Sequence, residues 1–571
     1  MLFARARAAP GDPGAVSGRD ADSVSEPDLV SWWSAPGRPG WTPDADLGTS
    51  FAWTFAGHSL GGWSRSLEEA PSLGMPWPET PDARRPLVWS DSLRSASEPL
   101  GAWLGPDAGL SSTTSMHLPT RVVRARSIFR IDNGDFGITR YSLVFERGDS
   151  LKWLRYQSSS GTRSGTGPYG PAGDHVWDLT LSVTRGAHTL RGNIGQRGAA
   201  QELTQSVVYE DAAAQSGRLE YQWAGGGRRA WAAFSRGLDR RLDVISDAGE
   251  AVSFSRRDAQ ENRFELGGDA PALGGTLAVR GSASRARALR TYDDSFEARD
   301  NAVWGAISFE RLAGPGTLRL ELGGGNSTAL DRRLVAPSAS FSFGSGGARG
   351  RVFAERLVHP VWSDLAAGQA SFLQSTTALG VEAEASNTVL RGRAALFGGT
   401  TRDRAIVFPY PIQDIWMRVG ASADPRRYDF ALLTGSASAQ LRALGLGAEA
   451  FALSRDQDPA EPRPEPDQGG RGWLEARFAL FQRDLGLRLR VEAAQIGARN
   501  TKTGGPEVQL PSYWTSSAMA LLTIADATAI LAWRNLQNQR HAEPWLDPQT
   551  NQPALGPGRQ FRLTLTWRLM N

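Results

Sequence analysis

At 571 residues with a formal net charge of only +3, the chain is long enough for several domains or for one very large closed sheet. Zero cysteines exclude disulfides, thiolate nucleophiles and sulfur-ligated metals, and suit a chain that crosses an oxidising compartment unfolded. No run of about 20 apolar residues occurs, which excludes helical membrane spans but leaves open strands that cross with about ten alternating residues each.

The first residues, Met1 to Pro10, are basic but lack the apolar stretch of a signal peptide, so a truncated or misassigned start, or a mature-like chain, is expected. Residues 1–48 are rich in Gly, Pro, Asp and Ser without periodicity and read as a flexible extension. The segment 49–119 is irregular, with a short apolar stretch at Phe51–Phe55 and then Pro71, Pro76, Pro78, Pro81 and Pro86; it is read as a reduced plug or as first strands.

Within it, Gly57-His58-Ser59-Leu60-Gly61-Gly62 matches the nucleophile elbow of α/β-hydrolases. Ser59 would be the nucleophile, and the base one of His117, His175, His188, His359 or His541. The surroundings oppose this, because Trp63 to Glu69 gives at most two helical turns before Pro71 and alternation dominates afterwards. The chain is therefore read as a non-enzyme, with a membrane-anchored serine esterase using Ser59 kept as an alternative. The scattered histidines show no ligand spacing, so neither a metal nor a cofactor is expected.

From about 120 to the end a period of two prevails, and 120–571 is assigned to a barrel. Val123, Ala125, Phe129 and Ile131 alternate with Arg124, Arg126, Arg130 and Asp132, and Trp177-Asp178-Leu179-Thr180-Leu181-Ser182-Val183-Thr184 is the cleanest case. Leu474 to Leu480 should pair with Leu485 to Glu492 across Gln482-Arg483-Asp484. Gly-rich runs at 225–227, 323–325 and 344–347 read as turns, whereas 456–470 and 535–557 read as long polar loops. Sixty-four glycines supply turns, 20 tryptophans supply interfacial anchors, and a mean hydropathy of −0.35 reflects the matching of apolar with polar positions. The fold class expected is all-β, a large transmembrane antiparallel barrel of roughly 20 to 24 strands with 22 favoured. Arginines lie in strand alternation rather than clusters, so no nucleic-acid partner is expected.

The last residues carry the clearest pattern. Phe561, Leu563, Leu565, Trp567 and Leu569 form an apolar face for lipid, and Arg562, Thr564, Thr566 and Arg568 a wet one. Together with Trp533-Arg534-Asn535-Leu536-Gln537-Asn538-Gln539-Arg540 and Pro557-Gly558-Arg559, this ending resembles the final hairpin of TonB-dependent outer-membrane receptors. In that family an Asn-Leu-x-Asn stretch ends the penultimate strand and Pro-Gly-Arg leads into the last. The resemblance spans some 40 residues in motif and most of the chain in pattern; the family's terminal aromatic is replaced by Leu569, and its plug and TonB box are not recognised in 1–119.

The resemblance implies a cell outer-membrane receptor or pore for uptake of a small solute, assembled by the barrel machinery into outer-membrane lipid, with an energy-coupling periplasmic protein as a further partner. Phe561, Leu563, Leu565, Trp567 and Leu569 would be its assembly strand. Arg124, Arg319, Glu321, Arg488, Arg490 and Glu492 are expected to face the lumen, where the arginines would favour anions. A scaffold barrel in a surface complex is the alternative function.

Overall fold

A computed structural model describes residues 54–55, 58–59 and 126–570, apart from the connections 135–138, 149–153, 166–171, 204–207, 248–249, 292–295, 329–331, 346, 362–371, 404–425, 457–465, 482–484, 502–507, 547–552 and 556–557. The expected extension 1–48, nearly all of 49–119, and Arg124 lie outside the described residues.

Alternation of side chains forces each long run into a strand with one apolar face, and such strands can satisfy every backbone group in lipid only by closing on themselves. Twenty-two of them do so here in one antiparallel barrel. The first, Arg126–Gly134, pairs on one side with Thr139–Gly148 and on the other with the last, Gln560–Met570. Sequence neighbours are spatial neighbours throughout, which is the up-and-down order.

The closing seam shows how pattern becomes position. Trp567 is 59% exposed while Thr566 beside it is 4% exposed, and Thr564 is likewise buried. Trp567 stands opposite Phe129 and Leu565 opposite Ile131, so apolar side chains meet apolar ones across the seam on the outer face. The same phase holds far around the wall: Leu219 is 54% exposed and Glu220 3%. The apolar side faces out, and most of the charged side chains face in.

Tight turns cluster on one rim: Gly186-Ala187, Gly226-Gly227, Leu273-Gly274, Gly314-Pro315, Arg442-Ala443 and Ala525-Asp526. Gly226 and Gly227 have φ of 59° and 74°, and Leu273 and Gly274 have 50° and 72°, the paired left-handed values of a type I′ turn whose twist suits antiparallel strands. The opposite rim carries the long connections 362–371, 404–425, 456–467, 497–512 and 535–559. The expected hairpin forms in register, Leu474 opposite Val491 and Leu480 opposite Leu485.

Three local expectations change. Gly323–Gly325 lies inside the strand Gly316–Ser327 rather than at a turn, because Gly325 lies under the Trp304 ring, which would sit 2.1 Å from any Cβ there. The strand Gln468–Leu480 begins before the loop read up to Gly470 has ended, and Gly469 receives the Phe451 ring in the same way. The long connections also have β-structure of their own: Arg499–Thr501 pairs with Val508–Leu510, and Ala542–Leu546 with Pro553–Leu555.

Candidate functional site: the inner wall and the loops above it

Strands with alternating charge place arginines and glutamates side by side on the lumen face. On Gly316–Ser327, Arg319 donates to Glu321 at 3.3 Å, and Glu321 is buried. On Leu485–Ile496, Arg490 donates to Glu492 at 3.0 Å, while Arg488 reaches across to Glu475 at 2.5 Å. Glu475 also takes Arg477 at 2.7 Å. Arg471 bridges Glu449 and Glu492 from the intervening strand. Elsewhere on the wall Arg218 is shared by Glu220 and Glu265.

The inward positions expected at Arg319, Glu321, Arg488, Arg490 and Glu492 are thus where charged, paired side chains are found, in two separate sectors rather than in one constellation. A wall of paired charges is mixed in sign. Arg319, Arg488 and Arg490 each have a glutamate partner here, so the local field is not that of arginines alone.

One aromatic side chain belongs to this network. Trp473 is inward, with Arg490 Cζ 5.0 Å and Arg471 Cζ 5.6 Å from its ring centroid, both within cation–π range. Its ring fits over Gly447 on the adjacent strand, where a Cβ would come within 2.1 Å of it.

The sequence reading missed an apolar band on the same inner face. Phe353, Phe397, Phe430, Leu432, Phe451 and Leu453 are buried together with Ala378 and Ala395. Phe397 lies 6.2 Å from Phe353 and meets Phe430 edge-on at 6.5 Å. The signal was present in Leu444–Arg455, whose burial alternates strictly: Leu444, Leu446, Ala448, Ala450 and Ala452 point out, and Glu449, Phe451 and Leu453 point in. Apolar residues on both faces hide the phase of the alternation.

The final hairpin explains its own motif. Asn535, φ 49°, ends the strand Ala527–Arg534; its side-chain amide donates to Gln539 O at 2.5 Å, and its Oδ1 accepts from Gln539 N–H at 3.2 Å. Asn538, φ 56°, accepts the Arg559 N–H on its Oδ1 at 2.8 Å, which ties the foot of the last strand to the end of the penultimate one. A Cβ on Gly558 would fall 2.6 Å from that oxygen, so a larger residue there would push the Asn538 side chain aside. The two motif halves are partners in one clasp.

Above it, two long loops are joined by a stack. His541 lies 3.9 Å from the Tyr513 ring at 12°, Arg499 lies 5.5 Å from the same ring, and Arg499 donates to Ala542 O at 3.2 Å. Burial, with the Arg499 charge adding to it, holds His541 below the usual imidazole range.

Ser59 pairs with Thr54, and Phe55 with His58, as a short antiparallel hairpin. That is not the strand-turn-helix of a nucleophile elbow. Among the described residues no group of three or more His, Asp or Glu is placed to hold a metal ion.

The closed barrel superposes on several solved structures. The iron transporter FrpB of Neisseria meningitidis superposes with a TM-score of 0.62 at 10% identity, covering 78% of this chain and 81% of that one. The chain has the TonB-dependent-receptor barrel fold. The copper transporter OprC matches this receptor-type barrel with a TM-score of 0.63 at 12% identity, covering 78% and 80% of the two chains. The ferripyoverdine receptor of the Pseudomonas aeruginosa outer membrane matches it at 0.62 and 10%, covering 80% and 73%. No protein-family model and no curated protein matches the sequence.

Proposed function

We propose that this chain is an outer-membrane receptor or pore that takes up a small solute. The observation that carries the reading is the closed 22-strand barrel with its apolar face outward and a charged face inward, a form that only a bilayer rewards. The solved barrels it superposes on include an iron transporter, receptors for ferripyoverdine and ferric preacinetobactin, and a copper transporter, so metal ions and their chelates are the first solutes to try. Barrel assembly through the last strand, from Phe561 to Leu569, and contact with an energy-coupling periplasmic protein belong to the same reading. Catalysis at Ser59 does not.

The test is uptake of radiolabelled ferric chelates and copper by cells with and without the gene, beside conductance of the purified protein in planar bilayers. Uptake that depends on the gene, or a conducting pore, supports the proposal. Neither uptake nor conductance from a correctly folded barrel would overturn it in favour of a scaffold role.

A further inference from the structure

One ladder of the wall stops short. The strands Arg332–Ser345 and Ala348–Val361 pair from Ser345 and Ala348 as far as Ser338 and Glu355, and there the pairing ends. Both strands run on for six more residues, 332–337 held by Gly316–Ser327 on one side and 356–361 by Phe372–Ser386 on the other. Among the described residues, no other barrel ladder leaves both of its strands running on by more than one residue past the last pair.

Sequence accounts for the split, and position puts it in the membrane. Pro337 is the first residue beyond the last pair on one strand and Pro360 lies on the other, and a proline has no backbone N–H to add to a ladder. Ser338 and Glu355 each lie seven residues from the turn-side end of their strand. At about 3.3 Å per residue and a tilt of about 40°, the pairing ends roughly 18 Å above the short-turn rim, inside an apolar band of about 25 Å. The outward surface at this level is apolar on one lip, where Val335 and Pro337 are exposed and the exposed Leu322 stands opposite Pro337. The other lip presents Arg356 outward, a side chain costly on an unbroken lipid face.

The inner wall changes at the same place. On the near side Glu321 stands opposite Ser338 and pairs with Arg319. Beyond the split, Phe353 opens the apolar band that continues through Phe397 and Phe430. Backbone that leaves its ladder at membrane depth is tolerated where it lines an opening or is covered by protein. Here it borders lipid outside, and inside it stands two residues above the first ring of an aromatic band.

We infer that the split is a lateral gate through which an apolar small molecule passes between the lumen and the bilayer. The gate rests on the membrane-barrel reading above and adds a sideways path, with its own substrate class, to the upright one. Its test exploits the absence of cysteine from this chain. Val335→Cys/Val358→Cys places one thiol on each edge, three residues past the last pair, while Leu320→Cys/Ala339→Cys clamps a ladder that is already paired. Cells expressing the full chain are oxidised and then reduced, with a short bis-maleimide used where the thiols do not join. Entry of N-phenyl-1-naphthylamine, an uncharged dye that fluoresces in lipid and is kept out by an intact outer membrane, is read beside uptake of ferric chelates and copper and beside unboiled gel migration.

Expected is dye entry above that of cells without the gene, slowed about tenfold by the clamp across the split, restored when the disulfide is reduced, and unchanged by the control clamp. No gene-dependent entry, entry indifferent to the clamp across the split, or equal slowing by the control clamp would overturn the gate; gene-dependent metal uptake in the same cells would leave the receptor reading standing. Loss of the unboiled band from the wild type would instead overturn the barrel. If the Val335→Cys/Val358→Cys variant fails to fold, Pro337→Val/Pro360→Val, which returns a backbone donor to each edge, must slow dye entry, and no slowing there overturns the proposal.

Discussion

Asn538 is a single side chain that fastens the largest loop of the molecule at both ends. It occupies a left-handed backbone position and accepts the Arg559 N–H. Asn538→Ala loses a hydrogen bond worth about 1 kcal/mol and adds a left-handed penalty of about 1 kcal/mol, whereas Asn538→Gly loses only the bond. Limited trypsin cleavage after the exposed Arg540 should quicken about tenfold or more in the alanine variant and less in the glycine one; equal rates in all three proteins would deny the clasp. The motif was legible in the sequence as a pattern, but the bond that explains it was not, because its two ends are 21 residues apart. His541 makes a second residue-scale prediction. Its native pKa lies below the usual value of 6.5, so the opened loop binds more protons as pH falls through about 6.5, and the stack is favoured above that pH and lost below it. The protection factors of amides in 535–546, each rate taken relative to the intrinsic exchange rate at the same pH, should therefore fall between pH 7.5 and 5.5, and His541→Phe, which keeps the ring stack, should abolish that fall. A wild type with no such fall would remove the imidazole from this role.

At the scale of the strand, the recurring device is an inward aromatic ring laid over a glycine on the next strand. Trp304 over Gly325, Trp473 over Gly447 and Phe451 over Gly469 share it. This is why strand glycines looked like turn signals: a sequence shows that a side chain is missing, and only the neighbouring strand shows what fills the space. Gly447→Ala should displace the Trp473 ring and cost about 1 to 3 kcal/mol, whereas Gly192→Ala, with nothing within 4 Å of the added Cβ, should be neutral or slightly stabilising. Urea midpoints of the unboiled band measure both, and an equal effect at the two sites would refute the slot. The charged inner strands follow from alternation alone, as at Arg488, Arg490 and Glu492. The apolar band through Phe397, Phe430 and Phe451 does not, since alanines on the outer face flatten the contrast that period-two reading needs.

For the molecule as a whole, strand number and closure follow from one fact repeated: a run with one apolar face cannot leave an edge in lipid. That fact was readable from Trp177 to Val183 and from Phe561 to Leu569, and the barrel of 22 strands falls at the favoured number. What the lumen carries depends on side chains brought together from strands far apart in sequence, such as Arg218 with Glu265, and no local pattern encodes that pairing. The most direct measurement is the migration of detergent-extracted protein on a gel, boiled against unboiled, beside fractionation of the membranes. A closed transmembrane barrel predicts outer-membrane enrichment and a faster unboiled band that shifts on boiling. A protein in the soluble fraction with identical boiled and unboiled migration would contradict the account at its root.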